Sequence, residues 1–466
     1  MKKKFGLLWA ALITLAIIVV GCSSTSPDES VAGEDESNND NEGEEKVLKV
    51  ATVNNPDMKI MQELTKEHFE KDTGIEVEFV VLPENDLRKK VTEDVALGAG
   101  AFDIVTISTY DTPIWAKNEW IEPISPRLDD MSEDEKEAYD LEDIFPTMRD
   151  ALTYDDSLYA LPFYGESTML YYNKEIFEEV GLEMPKHPTW EEVGDMARTI
   201  KEETGTPGIV LRGLPGWGEM MAPVTTMINA FGGSYYDEDW NAMLDSEETK
   251  NAVNFYVDLL HDAGQPGATS TGYTEALTIM STGKAAMWYD ATVAAGTLNN
   301  PDDSSVAGKI GYAFAPTQVK EENTGGLYAW SLAIESASKN KDAAFEFIKW
   351  STSQEYVELV GEEKGWGLAP SGTRISTYEN PKYKEAAPFA DMVLESIQSV
   401  DYDNPAVDPV PYVGAQYVAI PEFQSLGTEV SQQIAAAISG DKSVDEALKQ
   451  AQKLAEDAAK EGGYKE

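Results

Sequence analysis

An α/β fold with a parallel sheet, and a second sheet beyond it, is what this sequence predicts, on three observations. Between Val47 and Ile107, strand-like and helix-like stretches alternate. Phe163 to Tyr172 follows a turn-rich stretch and reads as a crossover into a second sheet. Trp330 to Ile334 and then Ala343 to Trp350 give the strand-then-helix order again, late in the chain. Such alternation lays strands side by side in parallel with helices on the sheet faces. The 466 residues leave room for two or three domains at about 150 residues each.

Val47 to Val53 reads as a buried strand. Asn54-Asn55-Pro56-Asp57 breaks it, and Met58 to Lys71 continues as an amphipathic helix that Thr73-Gly74 stops. Ile75 to Val81 alternates apolar and polar as a strand does. Leu87 to Leu97 is helical and ends at Gly98, and Asp103 to Ile107 is the third strand. Ligands of such sheets bind beyond the carboxyl ends of the strands. That puts Asn54, Asn55, Tyr110 and Asp111 at a possible site edge. Further on, Thr189-Trp190-Glu191-Glu192 is a capping box that opens a helix. Gly208 to Leu211, Gly283 to Tyr289 and Gly311 to Ala315 read as short strands. A second capping box, Ser443 to Glu446, opens a C-terminal helix. Its Val444, Ala447, Leu448, Ala451, Leu454, Ala455 and Ala458 fall on one face. No internal repeat is visible.

Residues 1-21 have a basic head (Lys2, Lys3, Lys4), an uncharged run from Phe5 to Val20, and Gly21 just before Cys22. This is the layout of a secretory leader. A cysteine just after the cut resembles the lipobox of bacterial lipoproteins, where the thiol is acylated. The alternative is an uncleaved anchor, for which the run is slightly short of about 20 residues. Residues 22-46 are rich in Ser, Asn, Gly, Asp and Glu and have almost nothing to bury. They read as an acidic disordered linker. Cys22 is the one cysteine, so no disulfide within the chain is possible, and with Cys22 committed to lipid there can be no cysteine metal site or thiol nucleophile. The net charge is −48 and is spread along the whole chain. It repels phosphates, which argues against nucleic acid and anionic lipid as partners. A salty or alkaline habitat would accommodate it, because screening shortens the reach of self-repulsion.

Catalytic readings run short of parts. His68, His187 and His261 are far apart in sequence and none has a metal-binding spacing. There is no G-x-S-x-G elbow and no phosphate loop. Carboxylate pairs could hydrolyse a glycoside, but acids are so abundant here that any one pair carries no signal. What stands out is a set of segments in which aromatics adjoin hydrogen-bonding groups. They are Thr109-Tyr110-Asp111, Phe163 to Ser167, Arg212 to Glu219, Trp288-Tyr289-Asp290, Tyr328 to Ser331, and Pro411 to Gly414. Sugars and polyols carry many hydroxyls on a carbon frame. Aromatic walls with a few fixed carboxylates, amides and guanidinium groups suit them.

The leader, Cys22 and the two-sheet order resemble the extracellular solute-binding proteins of ABC importers, within them the sugar-binding group that includes maltose-binding protein. Pro188-Thr189-Trp190-Glu191-Glu192 is similar to that group's P-x-T-W-x-E-like helix start, and Ser281 to Met287 to its G-K-A-A-M strand. Five segments are similar to mannitol/sorbitol-type polyol-binding proteins: Thr52 to Asn55, Pro162 to Ser167, Arg212 to Glu219, Asp290 to Ala295 and Val410 to Gly414. Two features depart from that group, whose members are often free in a periplasm and less acidic.

The resemblance implies an α/β, two-lobe, periplasmic-binding-protein-like fold, with a ligand cleft between lobes joined by crossing hinge strands. Residues 47-162 and 328-370 would form lobe 1, and residues 163-327 and 371-466 lobe 2. It further implies hinge closure on the ligand and docking on the transmembrane subunits of an ABC permease. By motif position, Asn54, Asn55 and Asp111 would line the strand ends of lobe 1. Tyr164 and Glu166 would sit at the hinge. Arg212, Trp217, Glu219 and Asp290 would come from lobe 2, with Trp288, Trp330 and Tyr412 as aromatic walls. Trp288 and Trp330 could equally point into a lobe's core. No enzymatic activity, cofactor or metal is expected. The expected protein is a monomer, lipid-anchored on the extracellular face of the cell membrane. Its expected ligand is a linear polyol. Binding of a disaccharide or oligosaccharide for import is the second reading, and a surface glycosidase the third.

Overall fold

The structure, a computed structural model, describes residues 47–465. The leader, Cys22 and the acidic linker lie outside the described residues. Among the described residues there are ten strands: β1 Val47–Val53, β2 Glu76–Leu82, β3 Ile104–Ser108, β4 Thr153–Tyr154, β5 Ser157–Leu158, β6 Leu161–Glu166, β7 Thr168–Asn173, β8 Met287–Ala291, β9 Ile310–Phe314 and β10 Tyr328–Ile334. The first sheet has the order β2-β1-β3-β10-β6, and the second β8-β7-β9. β1 runs parallel to β2 and β3, as the strand-helix alternation predicts. β10 returns antiparallel between β3 and β6. β6, β8 and β10 are buried along their whole length. Strands covered on both faces carry apolar side chains with little alternation.

Local chemistry explains the first lobe's elements. Pro56 is the first helical residue after β1, where its missing N–H breaks no hydrogen bond. The helix then runs on to Thr73, through a π-helical stretch at Thr65–Phe69. Gly74 and Gly98 cap their helices in the left-handed conformation, which glycine adopts without steric cost. In the second lobe, the Thr189–Glu192 and Ser443–Glu446 capping boxes both form. The C-terminal helix buries Ala447, Leu448, Ala451, Ala455 and Ala458, whereas Val444 and Leu454 are only partly buried.

Two expected strands differ. Gly208 to Leu211 makes a single parallel bridge, Val210 to Trp288, in place of a strand. The chain then turns away to carry Arg212. The stretch from Gly283 becomes extended only at Met287, because Gly283 takes a left-handed turn just after helix Tyr273–Ser281.

One residue, Ser167, separates β6 in the first sheet from β7 in the second. The chain crosses back between β9 and β10. Beyond β10, Arg374 is buried against the first lobe, with Nη1 3.1 Å from Asp143 Oδ2. Helix Ala390–Ser399 then packs on β7 and β9. Helices Phe423–Ile438 and Val444–Glu461 complete the second lobe by packing on helix Glu247–Ala263.

Candidate functional site

A narrow, partly enclosed cavity lies where the strand ends of the two lobes meet. The first lobe brings Asn55 just after β1, Tyr164 and Glu166 on β6, and Tyr328 and Trp330 on β10. It also brings Glu84 and Arg88 from the first turns of helix Glu84–Leu97. The second lobe brings Arg212, Tyr273 and Asp290, and Gln416 adds an amide.

Arg212 and Asp290 form the second lobe's polar floor. Arg212 Nε donates to Asp290 Oδ2 at 2.8 Å, and Arg212 Nη2 to Asp290 Oδ1 at 2.5 Å. Arg212 Nη1 also donates to the Gly218 carbonyl at 3.0 Å and lies 3.5 Å from Glu219 Oε2. A two-point fork of this kind fixes direction as well as charge. Asp290 is held again by Trp288 Nε1 at 3.0 Å and by the Ala291 N–H at 2.7 Å. Burial works against the Arg212 charge, and Asp290 and Glu219 more than offset it. Arg212 also lies 5.1 Å from the centre of the Tyr273 ring.

Arg88 is the first lobe's counterpart. It donates to Glu84 Oε1 through Nε and Nη2 at 3.0 and 2.9 Å, and to the Tyr328 hydroxyl at 2.5 Å. Its Nη1 lies 3.7 Å from Asp111 Oδ2. Asp111 in turn accepts from the Ser108 N–H and hydroxyl at 3.1 and 2.6 Å. Burial raises the Asp111 carboxyl, against the pull of Arg88 and Ser108. Asn55 Nδ2 donates to the Tyr164 hydroxyl at 2.8 Å, which orients both groups at the cavity wall.

Glu166 has a different state. Burial pushes its carboxyl up to about 8; Arg212 opposes the rise, and Asp290, Glu84 and Asp57 add to it. At neutral pH it is therefore a neutral acid with an O–H to donate. Glu219 is raised to about 7, first by burial and then by Glu84, against Arg212. It accepts from the Tyr273 N–H at 3.1 Å.

Of the residues singled out from sequence, Asn55, Tyr164, Glu166, Arg212, Asp290 and Trp330 come together on the cavity wall. Four stand just behind it: Asp111 beside Arg88, Glu219 beside Arg212, Trp288 on Asp290, and Trp217 under the Arg88 guanidinium at 4.0 Å. Two are placed elsewhere. Asn54 is exposed, its N–H bonded to the Leu82 carbonyl. Tyr412 lies in the second lobe's core, its hydroxyl accepting from the Tyr235 N–H at 3.1 Å. Glu84, Arg88, Tyr273, Tyr328 and Gln416 were not legible as site residues. The spacing of Glu84 and Arg88 is that of an ordinary solvated helix pair. Tyr328 was legible only as part of the segment that it opens.

The histidines take no part in the cavity wall. His68 Nε2 meets Glu363 at 2.8 Å, close to Glu67. His187 stacks on Phe314, and His261 bonds the Ile438 carbonyl. The wall thus offers fixed donors, acceptors and aromatic faces.

Two α/β lobes, a chain that crosses between their sheets, and a partly enclosed polar cavity at the junction define a solute-binding protein. The profile of the bacterial extracellular solute-binding proteins matches residues 52–358, and the chain belongs to that family. It is 44% identical over 418 residues to the mannitol-binding protein of Pseudomonas aeruginosa, covering 90% of this chain and 94% of the relative. The crystal structure of an ABC transporter solute-binding protein from Agrobacterium vitis, with bound D-mannitol, superimposes with a TM-score of 0.86 at 47% identity. That match covers 90% of this chain and 99% of the other. A solute-binding protein from Agrobacterium radiobacter in complex with ribitol gives a TM-score of 0.77 at 25% identity, covering 88% and 98%.

Proposed function

We propose that this chain captures a linear polyol of the mannitol or sorbitol kind and delivers it to the membrane subunits of an ABC importer, without chemical change to the solute. In this reading Cys22 carries the lipid that tethers it to the extracellular face of the membrane. The observation that carries the reading is the pairing of Arg212 with Asp290 beside a neutral Glu166 in one cavity lined by both lobes. A polyol hydroxyl both donates and accepts. Fixed carboxylate acceptors beside fixed guanidinium and carboxylic acid donors can satisfy a row of such hydroxyls, and indole and phenol faces cover the carbon chain. The relatives described above bind mannitol and ribitol, both linear polyols.

The test is a thermal-shift series on the full-length protein with hexitols, pentitols, monosaccharides and disaccharides. A ligand that binds only the folded state raises the melting temperature as its concentration rises. A shift with one or two hexitols and none with disaccharides is expected. A shift with disaccharides alone would overturn the polyol assignment. For the anchor, Cys22→Ser should release the protein from membranes, and its retention with an uncleaved leader would point to a spanning anchor.

A further inference from the structure

We propose that Arg88 couples the bound solute to lobe closure, and that Gly216, Trp217 and Gly218 form the second-lobe seat on which it closes. This rests on the reading of the cavity as a polyol site. Arg88 lines the cavity and at the same time reaches across the lobe boundary. Its guanidinium lies 4.0 Å from the centre of the Trp217 ring in the second lobe and 4.8 Å from that of Trp330 in the first. One cation thus sits between an indole from each lobe, in reach of favourable cation–π attraction to both.

The two glycines let the lobes come this close. A Cβ on Gly218 would lie 2.7 Å from Arg88 Nη2 and 2.8 Å from Nε, and would also collide with Glu84 Oε1. These are the ends of long side chains, but they are not free to swing away. Arg88 is buried and is bonded both to the half-buried Glu84 and to Tyr328. A Cβ on Gly216 would lie 3.0 Å from two atoms of the Asn85 amide. Asn85 Nδ2 meanwhile donates to the Pro215 carbonyl at 3.0 Å across the same boundary. The seat is braced from behind. The Gly216 N–H donates to Ser431 Oγ at 2.8 Å, and Gly427 admits the Trp217 side chain, where a Cβ would stand 2.8 Å from that of Trp217.

Because Arg88 belongs to the first lobe and Trp217 to the second, their contact needs the two lobes to meet, so a solute held by Arg88 in the cavity and closure onto Trp217 would each favour the other. A solute that touches Arg88 draws on the stacking energy, and a seat that cannot close lowers apparent affinity by the lost closed fraction.

The experiment uses the full-length protein with Gly218→Ala and Trp217→Ala as variants. Mannitol affinity, the release rate, the melting temperature without solute, and the radius of gyration with and without mannitol are all measured. For Gly218→Ala we expect affinity to fall about tenfold or more, mostly through faster release. The solute-free melting temperature should be unchanged, and compaction with mannitol should be reduced. Trp217→Ala should also release faster and compact less. Wild type that binds and compacts, beside a Gly218→Ala variant that matches it in both, overturns the coupling alone. Lost affinity with full compaction overturns it as well, because Gly218 would then act on the solute and not on closure. Wild type that binds no polyol overturns the polyol reading and this inference with it.

Discussion

Arg212 and Asp290 meet as a two-point fork in the floor of the cavity, at 2.8 and 2.5 Å, and both are buried. Neither charge could stay there alone. The cost of taking each from water is offset only by its partner and the bonds around it. The pair therefore holds the fold together locally and also presents oriented polar atoms to a solute.

Arg212→Ala leaves the Asp290 carboxylate buried with only the Trp288 and Ala291 donors. A loss of about 3–5 kcal/mol in unfolding free energy is expected, together with loss of solute binding. Urea unfolding followed by circular dichroism measures the first and calorimetry the second. Unchanged stability would show that the guanidinium is not needed to hold that carboxylate.

Tyr412 provides the contrast. Its hydroxyl accepts from the Tyr235 N–H inside the second lobe. Tyr412→Phe should leave that N–H unpaired and cost about 1–3 kcal/mol, with solute affinity unchanged. A large affinity loss at unchanged stability would move Tyr412 into the binding site.

The contrast between these residues shows what the sequence reveals. The first sheet's β1 and β2 were legible because each is followed by its helix and its stop signal, Gly74 or Gly98, and β3 because it opens soon after the second stop. The insertion of β10 between β3 and β6 was not, since it pairs residues more than 150 positions apart and no local pattern encodes that. In the site, Glu166, Arg212 and Asp290 stood out because charges interrupt aromatic, otherwise uncharged segments. Arg88 and Glu84 did not, because on a charged helix they look like surface. Their place in the site shows only in the fold, where Gly218 of the second lobe comes up against both and Arg88 is buried. Tyr412 misled for the opposite reason: it stands in a segment that resembles a binding motif, yet its ring is buried in the second lobe.

The net charge of −48 carries its own prediction. Repulsion among carboxylates spread along the chain opposes folding, and salt screens it. Raising sodium chloride from about 0.05 to about 0.5 M, which shortens the screening length several-fold, should raise the melting temperature. Equal stability at both concentrations would show that the acidity is not a burden that salt relieves.

Glu166 gives the pH dependence. Its carboxyl lies at about 8 in the folded protein, against an ordinary value of 4.5. Between those values the folded chain binds a proton that the unfolded chain does not. Stability must then fall as pH rises through that window, and the fall levels off above the folded value. Glu219, raised to about 7, adds to the same slope over a narrower range. Solute binding should follow Glu166. Below about 8 the acid can donate to a hydroxyl, and above it a carboxylate can only accept. Glu166→Gln keeps a donor at every pH and removes the titration. Its melting temperature should vary less than that of wild type between pH 5 and 9, and its mannitol affinity should hold at pH 9, where wild type weakens. Parallel pH profiles for the two proteins would mean that Glu166 is already ionised in the folded state, with Arg212 outweighing the cost of burial.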